Sequence, residues 1–217
     1  MKWLVVGILV AVSMVLCSGA WAAPSLLGPT GLVTVPTAEV LGLLQWNVGA
    51  TAARADDGPD ESVVFANVGL ISGLEIGAST DDVEDAESET VLNAKLRVLG
   101  PLPGRITVAA GMMDVTDQID RSSYAVLSHT LGGGVLTTGG SVALPQVHIG
   151  VGTGRLDGVF GGISTTVGRQ LSLMAEYDGE DVNVGARWRF APSLEAAVAA
   201  LDGTEAFAVG LSLSSPW

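Results

Sequence analysis

The chain has 217 residues, of which 48% are hydrophobic and only 15% charged, with 29 Gly, one Cys and a formal net charge of -13. Past residue 22 no apolar run reaches the roughly 20 residues that a membrane-crossing helix needs, and 10 Lys and Arg set against 23 Asp and Glu leave no basic face for nucleic acid. The apolar content, with a mean hydropathy of +0.47, also excludes a disordered chain.

In chain order, residues 1–22 read as a secretory signal peptide. Met1-Lys2-Trp3 is a short basic start, Leu4 to Leu16 an apolar run, and Ala20-Trp21-Ala22 a small-x-small cleavage site. Cys17 follows Leu16, which is not the small residue expected before a lipidated Cys, so Cys17 belongs to the leader. The mature chain then starts near Ala23 without any Cys, and neither a disulfide nor a thiolate site is available to it. Residues 23–43 form an irregular N-terminal segment whose path is fixed by Gly31 and Pro36. This segment is expected to pack into one mouth of the domain that follows.

Residues 44–217 read as strands, because their apolar period is two rather than 3.6. The predicted spans are 44–54, 62–71, 73–80, 90–98, 105–112, 122–131, 145–152, 159–167, 171–177, 182–190, 194–201 and 206–214. Trp46, Val48, Ala50 and Ala52 alternate with Asn47, Gly49, Thr51 and Ala53. Leu92, Ala94, Leu96 and Val98 alternate with Val91, Asn93, Lys95 and Arg97, and Val182 to Phe190 repeats the pattern against Asn183, Gly185, Arg187 and Arg189. Leu194–Leu201 is Ala-rich and helix-like in composition, but its setting among strands makes a strand the better reading. The segment 132–146, with Gly132-Gly133-Gly134 and Gly139-Gly140, leaves room for a further irregular strand.

The links alternate in character. Asp56–Glu61, Asp81–Glu89 and Met113–Arg121 are long or acidic, whereas Ser72-Gly73, Gly168–Gln170 and Ala191–Ser193 are tight. Short turns on one rim and longer loops on the other are the pattern of a bacterial outer-membrane barrel. One face of the strands carries Leu, Val, Ile and Ala, with aromatic residues towards the ends. The other carries Gly, Ala, Ser and Asn with isolated charges, which suits a crowded lumen better than a water-facing sheet. The fold class is therefore all-β, a closed antiparallel up-and-down transmembrane barrel of about 12 strands (10–12), placed in the outer membrane of a diderm bacterium. Trp217 shares a face with Leu213, Leu211, Val209 and Phe207, and resembles the terminal aromatic of the outer-membrane assembly signal. Expected partners are outer-membrane lipid, lipopolysaccharide and the machinery that assembles barrels.

Glu75, Lys95, Arg97, Arg105, Glu176, Arg187, Arg189 and Glu195 all fall on the polar face. They read either as a path through the lumen or as an internal salt-bridge network that fills a closed barrel. The network is the default, because unpaired buried charges are costly. His129 and His148 are the only histidines, and neither a GxSxG elbow nor an HExxH motif is present. No catalytic residue, cofactor or metal ligand is assigned. The acidic loops lack the spacing of an EF-hand and read as solvated, although divalent bridging to lipopolysaccharide is a testable role.

The mature start, GPTGLVTVPTA from Gly28 to Ala38, together with Asn67–Ser79 and the run from Gly150 to Arg187, resembles YjbH-like outer-membrane proteins. That resemblance implies a barrel tied to exopolysaccharide production or secretion, with polysaccharide or export partners. Three functions are thus in view: a non-enzymatic barrel supporting exopolysaccharide or envelope surface biology, a small outer-membrane transport channel, and a secreted soluble β-protein that binds a partner.

Overall fold

The computed structural model describes residues 22–215, apart from 56–57, 85–86, 103–105, 132–135, 138–139, 142–144 and 169. Residues 1–21, nearly all of the predicted leader 1–22, lie outside the described residues, as do Arg105 and Trp217. The strands are β1 (Trp46–Ala55), β2 (Glu61–Ile71), β3 (Leu74–Val83), β4 (Glu89–Leu99), β5 (Ile106–Met113), β6 (Ser122–Thr130), β7 (Leu136–Thr137), β8 (Gly140–Ser141), β9 (Gln146–Gly152), β10 (Gly158–Val167), β11 (Leu171–Tyr177), β12 (Val182–Ala191), β13 (Leu194–Leu201) and β14 (Ala206–Ser214). All except β7 and β8 join a closed barrel in the order β1-β14-β13-β12-β11-β10-β9-β6-β5-β4-β3-β2. All twelve predicted barrel strands are present, three with the predicted bounds and the rest displaced by at most three residues at either end. The segment 132–146 contributes the two-residue pair β7–β8, which stands apart from the barrel sheet.

Closure follows from the pairing of first and last strands. β1 and β14 run antiparallel from Asn47 opposite Ser214 to Ala55 opposite Ala206, so no edge strand is left with unpaired N–H and C=O groups. Pairing also decides the fate of Leu194–Leu201. Its Ala content favours a helix, yet β12 and β14 pair with it on both sides, with one register shift in β12 between Arg189 and Ala191. The extended form turns Glu195 and Ala199 inward. Asp178 makes the tight β11–β12 turn, accepting the N–H groups of Glu180 (3.0 Å) and Asp181 (2.9 Å), while Gly179 supplies φ +119°.

The two faces differ as the alternation requires. Outward positions stay exposed, including Val64, Leu96, Ile149, Val184, Val198 and Val209. Among the described residues no helix is long and apolar enough to cross a membrane; the exposed apolar surface is carried by strands. Trp46, Trp188 and Phe190 lie near one end of this belt, and Tyr177 and Phe207 near the other. Every link on the loop rim, where β1 ends and β2 begins, contains Asp or Glu, and no link on the turn rim does.

The interior holds the main difference from the sequence-based picture. Residues 22–45 do not stop at the mouth but run through the lumen. Val33, Val35, Ala38 and Leu41 are 0–1% exposed. Leu26, Leu32, Val33, Val35 and Ala38 pack with Ala109, Tyr124, Val126, Phe160, Met174, Ala199 and Ala208 of the wall in one apolar cluster. Tyr124 and Phe160 meet edge to face at 6.4 Å. An interior predicted to be small and polar is therefore in large part an apolar core, built between the wall and its own N-terminal segment.

Candidate functional site: the filled lumen

The luminal segment has little regular structure of its own. Two isolated antiparallel bridges, Pro24 with Thr30 and Gly31 with Pro36, fold it back on itself. It leaves the lumen at the turn rim, where Leu44 N–H donates to Gly69 C=O (2.8 Å) and Gly69 N–H to Gln45 C=O (2.9 Å). A Cβ on Gly69 would fall 1.9 Å from the Gly42 carbonyl oxygen, so the exit needs glycine at this point. A turn rich in Gly and Pro in a lumen leaves many main-chain groups that only the wall can satisfy.

The wall satisfies them with two charged clamps. In the first, on β3 and β4, Glu75 accepts the N–H of Thr30 (3.0 Å) and of Leu41 (3.0 Å), and the Thr30 hydroxyl (2.9 Å). Lys95 donates to Thr30 C=O (2.6 Å) and Thr37 C=O (3.3 Å), to the Thr30 hydroxyl, and lies 3.9 Å from Glu75. Both side chains are almost fully buried, at 2% and 3% exposure.

The second clamp lies on β11, β12 and β13. Glu176 accepts three successive N–H groups, from Val33 (2.8 Å), Thr34 (2.7 Å) and Val35 (3.4 Å), and the Thr34 hydroxyl (2.6 Å). Asn183 donates to Glu176 (3.2 Å) and to Asp178 (2.9 Å). Arg187 donates to the C=O groups of Pro24 (2.6 Å), Leu32 (3.0 Å) and Gly31 (3.4 Å). Glu195 pairs with both Arg187 and Arg189 at 3.1 Å. The wall makes room here by omitting side chains: a Cβ on Gly162 would meet Leu32 Cδ1 at 2.6 Å, and one on Gly185 would meet Val33 Cγ2 at 2.9 Å.

Smaller contacts complete the seat. Asn67 donates to Gly28 C=O (2.8 Å) and Thr51 to Leu26 C=O (2.8 Å). Ala38 N–H donates to Ser128 (2.9 Å), whose hydroxyl is 2.7 Å from His148 Nδ1 and 3.4 Å from Glu39. Between Pro24, Leu26, Arg187, Glu195 and Ser212 remains a gap of about 10 Å³, about the size that admits one water.

Six of the eight charged positions singled out in the sequence thus line the seat: Glu75 pairs with Lys95, Glu195 pairs with Arg187 and Arg189, and Glu176, opposite Asn183, stands four residues along β11 from the position opposite Arg187. Arg97 sits half-buried at the turn rim beside Gly73, away from both clamps; Arg105 lies outside the described residues. Thr30, Asn67, Ser128 and Asn183 were not singled out, although Asn67 and Asn183 share the inward phase of their strands. His148 faces inward, while His129 follows the outward phase of β6. Among the described residues no group of three or more His, Cys, Asp or Glu could hold a metal ion.

The loop rim carries carboxylates of two kinds. Asp114 accepts N–H groups from Gln118 (3.0 Å), Ile119 (2.7 Å) and Asp120 (3.1 Å), and the Thr116 hydroxyl (3.0 Å). Burial alone would raise its pKa, but those hydrogen bonds together hold it below the usual carboxylate value. Asp202 is held above it by partial burial and by the neighbouring Asp181 and Asp178.

No protein-family model matches the sequence, and no curated protein is similar to it in sequence. Among solved structures the chain is similar in fold to a KdgM porin, with a TM-score of 0.56 and 10% identity, over 78% of this chain and 99% of the porin. At that identity the likeness concerns the fold, a barrel of the same general build.

Proposed function

We propose that the chain is an outer-membrane barrel whose lumen is a small transport channel, closed in this structure by its own residues 22–45. The observation that carries this reading is how the segment is held: it fills the lumen through hydrogen bonds and packing, and joins the barrel only through the short exit at Gly42–Gln45. Such a part can leave without dismantling the sheet, whose ladders close independently of it. The exposed apolar belt supports the membrane setting, because in hydrocarbon only a closed sheet or a helix satisfies its backbone. The fold neighbour's name supports transport over the exopolysaccharide role, which rests on the sequence resemblance to YjbH-like proteins. With short turns facing the periplasm, the acidic loops face outward and the segment leaves the lumen on the periplasmic side. No catalytic step is proposed.

Purified protein in detergent is expected to show heat-modifiable migration on a gel, and in planar bilayers to stay shut apart from brief openings. Glu176→Gln, which weakens the acceptor of three N–H groups, is expected to lengthen those openings and to expose residues 22–45 to protease. Release of the segment, seen as protease cleavage, without any current would defeat the channel reading.

A further inference from the structure

The wall grips the luminal segment mainly by its main chain. Glu75, Glu176 and Ser128 take N–H groups from Thr30, Leu41, Val33, Thr34, Val35 and Ala38. Lys95, Arg187, Asn67 and Thr51 give hydrogen bonds to C=O groups of Thr30, Thr37, Pro24, Gly31, Leu32, Gly28 and Leu26. By contrast, among the described residues the side chains held by polar wall groups are those of Thr30, Thr34 and Glu39. Acceptors stand where the chain presents donors, donors where it presents acceptors, and charged partners make such bonds about twice as strong as neutral ones. Apart from the segment, the clamps present three carboxylates and three cations, so they offer no strong preference for an ion of either sign.

We propose that the two clamps form a binding site for short, irregular peptides of low net charge, and that residues 30–41 occupy it as an intramolecular ligand. This rests on the segment being displaceable, as in the channel reading, and names the class of solute the emptied lumen would hold. Peptides are favoured over single ions and over hydroxyl-only polymers by the Glu176 contact, which takes three N–H groups in succession, and by the Arg187 contact, which serves the successive carbonyls of Gly31 and Leu32. A tethered segment has an effective concentration on the order of millimolar, so the unaltered protein should bind added peptide weakly.

The test uses the full chain with Val33→Asp, which places a carboxylate in the apolar cluster and expels the segment while leaving both clamps intact. Leu32→Asp serves the same purpose if Val33→Asp does not give a heat-modifiable barrel. A fluorescently labelled, capped peptide of residues 30–41 is titrated into each protein in detergent, with anisotropy as the readout. Saturable binding to the released variant and at least tenfold weaker binding to the unaltered chain are expected. Adding Glu176→Gln or Arg187→Gln to the released variant should weaken binding by about tenfold, the scale of one charge-assisted hydrogen bond. Absence of saturable binding, equal binding after either clamp substitution, or equal competition by a neutral oligosaccharide of similar length would overturn the proposal. Bilayer current through the released variant is read separately: binding without current retains the peptide site and removes the channel, and current that the peptide does not block removes the site and retains the channel.

Discussion

The two clamps do the same chemistry in different surroundings. On β3–β4 a lysine and a glutamate are sealed together, and Glu75 joins the two ends of one loop, Thr30 and Leu41. On β11–β13 Glu176 holds the tip of that loop near the acidic rim. Its partner Thr34 is half-buried, whereas Arg187, Arg189 and Glu195 sit towards the turn rim, at the level of Glu75. The first clamp is thus a fixed base, costly to alter because each charge depends on the other. Glu176 is a latch: its loss frees Val33, Thr34 and Val35 but leaves Glu195 paired with Arg187 and Arg189.

The largest effect should come from breaking the base. Lys95→Met leaves Glu75 buried without its cation, and one-sided loss of a buried pair costs about 3–5 kcal/mol. The gel-shift temperature should fall clearly, and Lys95→Met with Glu75→Gln should recover a good part of the loss. A double variant as unstable as the single one would mean that the pair is not coupled. At the latch, Glu176→Gln should cost about 1.5–3 kcal/mol in seating of the segment. Amide exchange at Val33–Val35 should accelerate with little change in barrel melting; a large drop in melting instead would erase the distinction between base and latch.

Packing beside the latch offers a steric version of the same test. Gly185→Val would push against Val33, where a Cβ alone meets Cγ2 at 2.9 Å, and overpacking of this kind costs about 1–3 kcal/mol. Raised protease sensitivity of residues 22–45 in an otherwise folded barrel is expected. The smallest effect concerns Asp114, which grips three successive N–H groups as Glu176 does, but within its own loop and at the rim. Because its pKa is lowered in the folded protein, its contribution is present above the ordinary carboxylate value of about 3.9 and is lost as pH falls through the lowered one. Exchange protection at 118–120 should therefore hold down to the ordinary value and fade below it, and Asp114→Ala should abolish it at every pH. Fading that begins well above the ordinary value would contradict the hydrogen-bond account.

Much of the wall could be read in advance because a strand's side-chain period is two. Once Glu75, Lys95, Glu176, Arg187 and Glu195 shared the phase of Asn, Gly and Ser, their inward direction followed. Even the Ala-rich Leu194–Leu201 was legible from its neighbours. What those charges touch was not legible, since Glu176 and Val33 are 143 residues apart in sequence. Alternation also assigns Val126, Phe160 and Met174 to the inward face without saying what covers them. Arg97 shares the phase of Lys95, yet lies close enough to the turn rim to stand outside both clamps.

The amino-acid sequence by itself determined that the sheet closes and which face meets an apolar environment, because both depend on local alternation and on the need to pair every strand edge. It also determined that the acids gather on one rim, since the links carry them. Only the tertiary structure decided that the weakly charged, glycine-rich interior is filled by residues 22–45. That outcome depends on matching an irregular chain's N–H and C=O groups to side chains on opposite walls, a complementarity in three dimensions that no periodicity along the chain encodes.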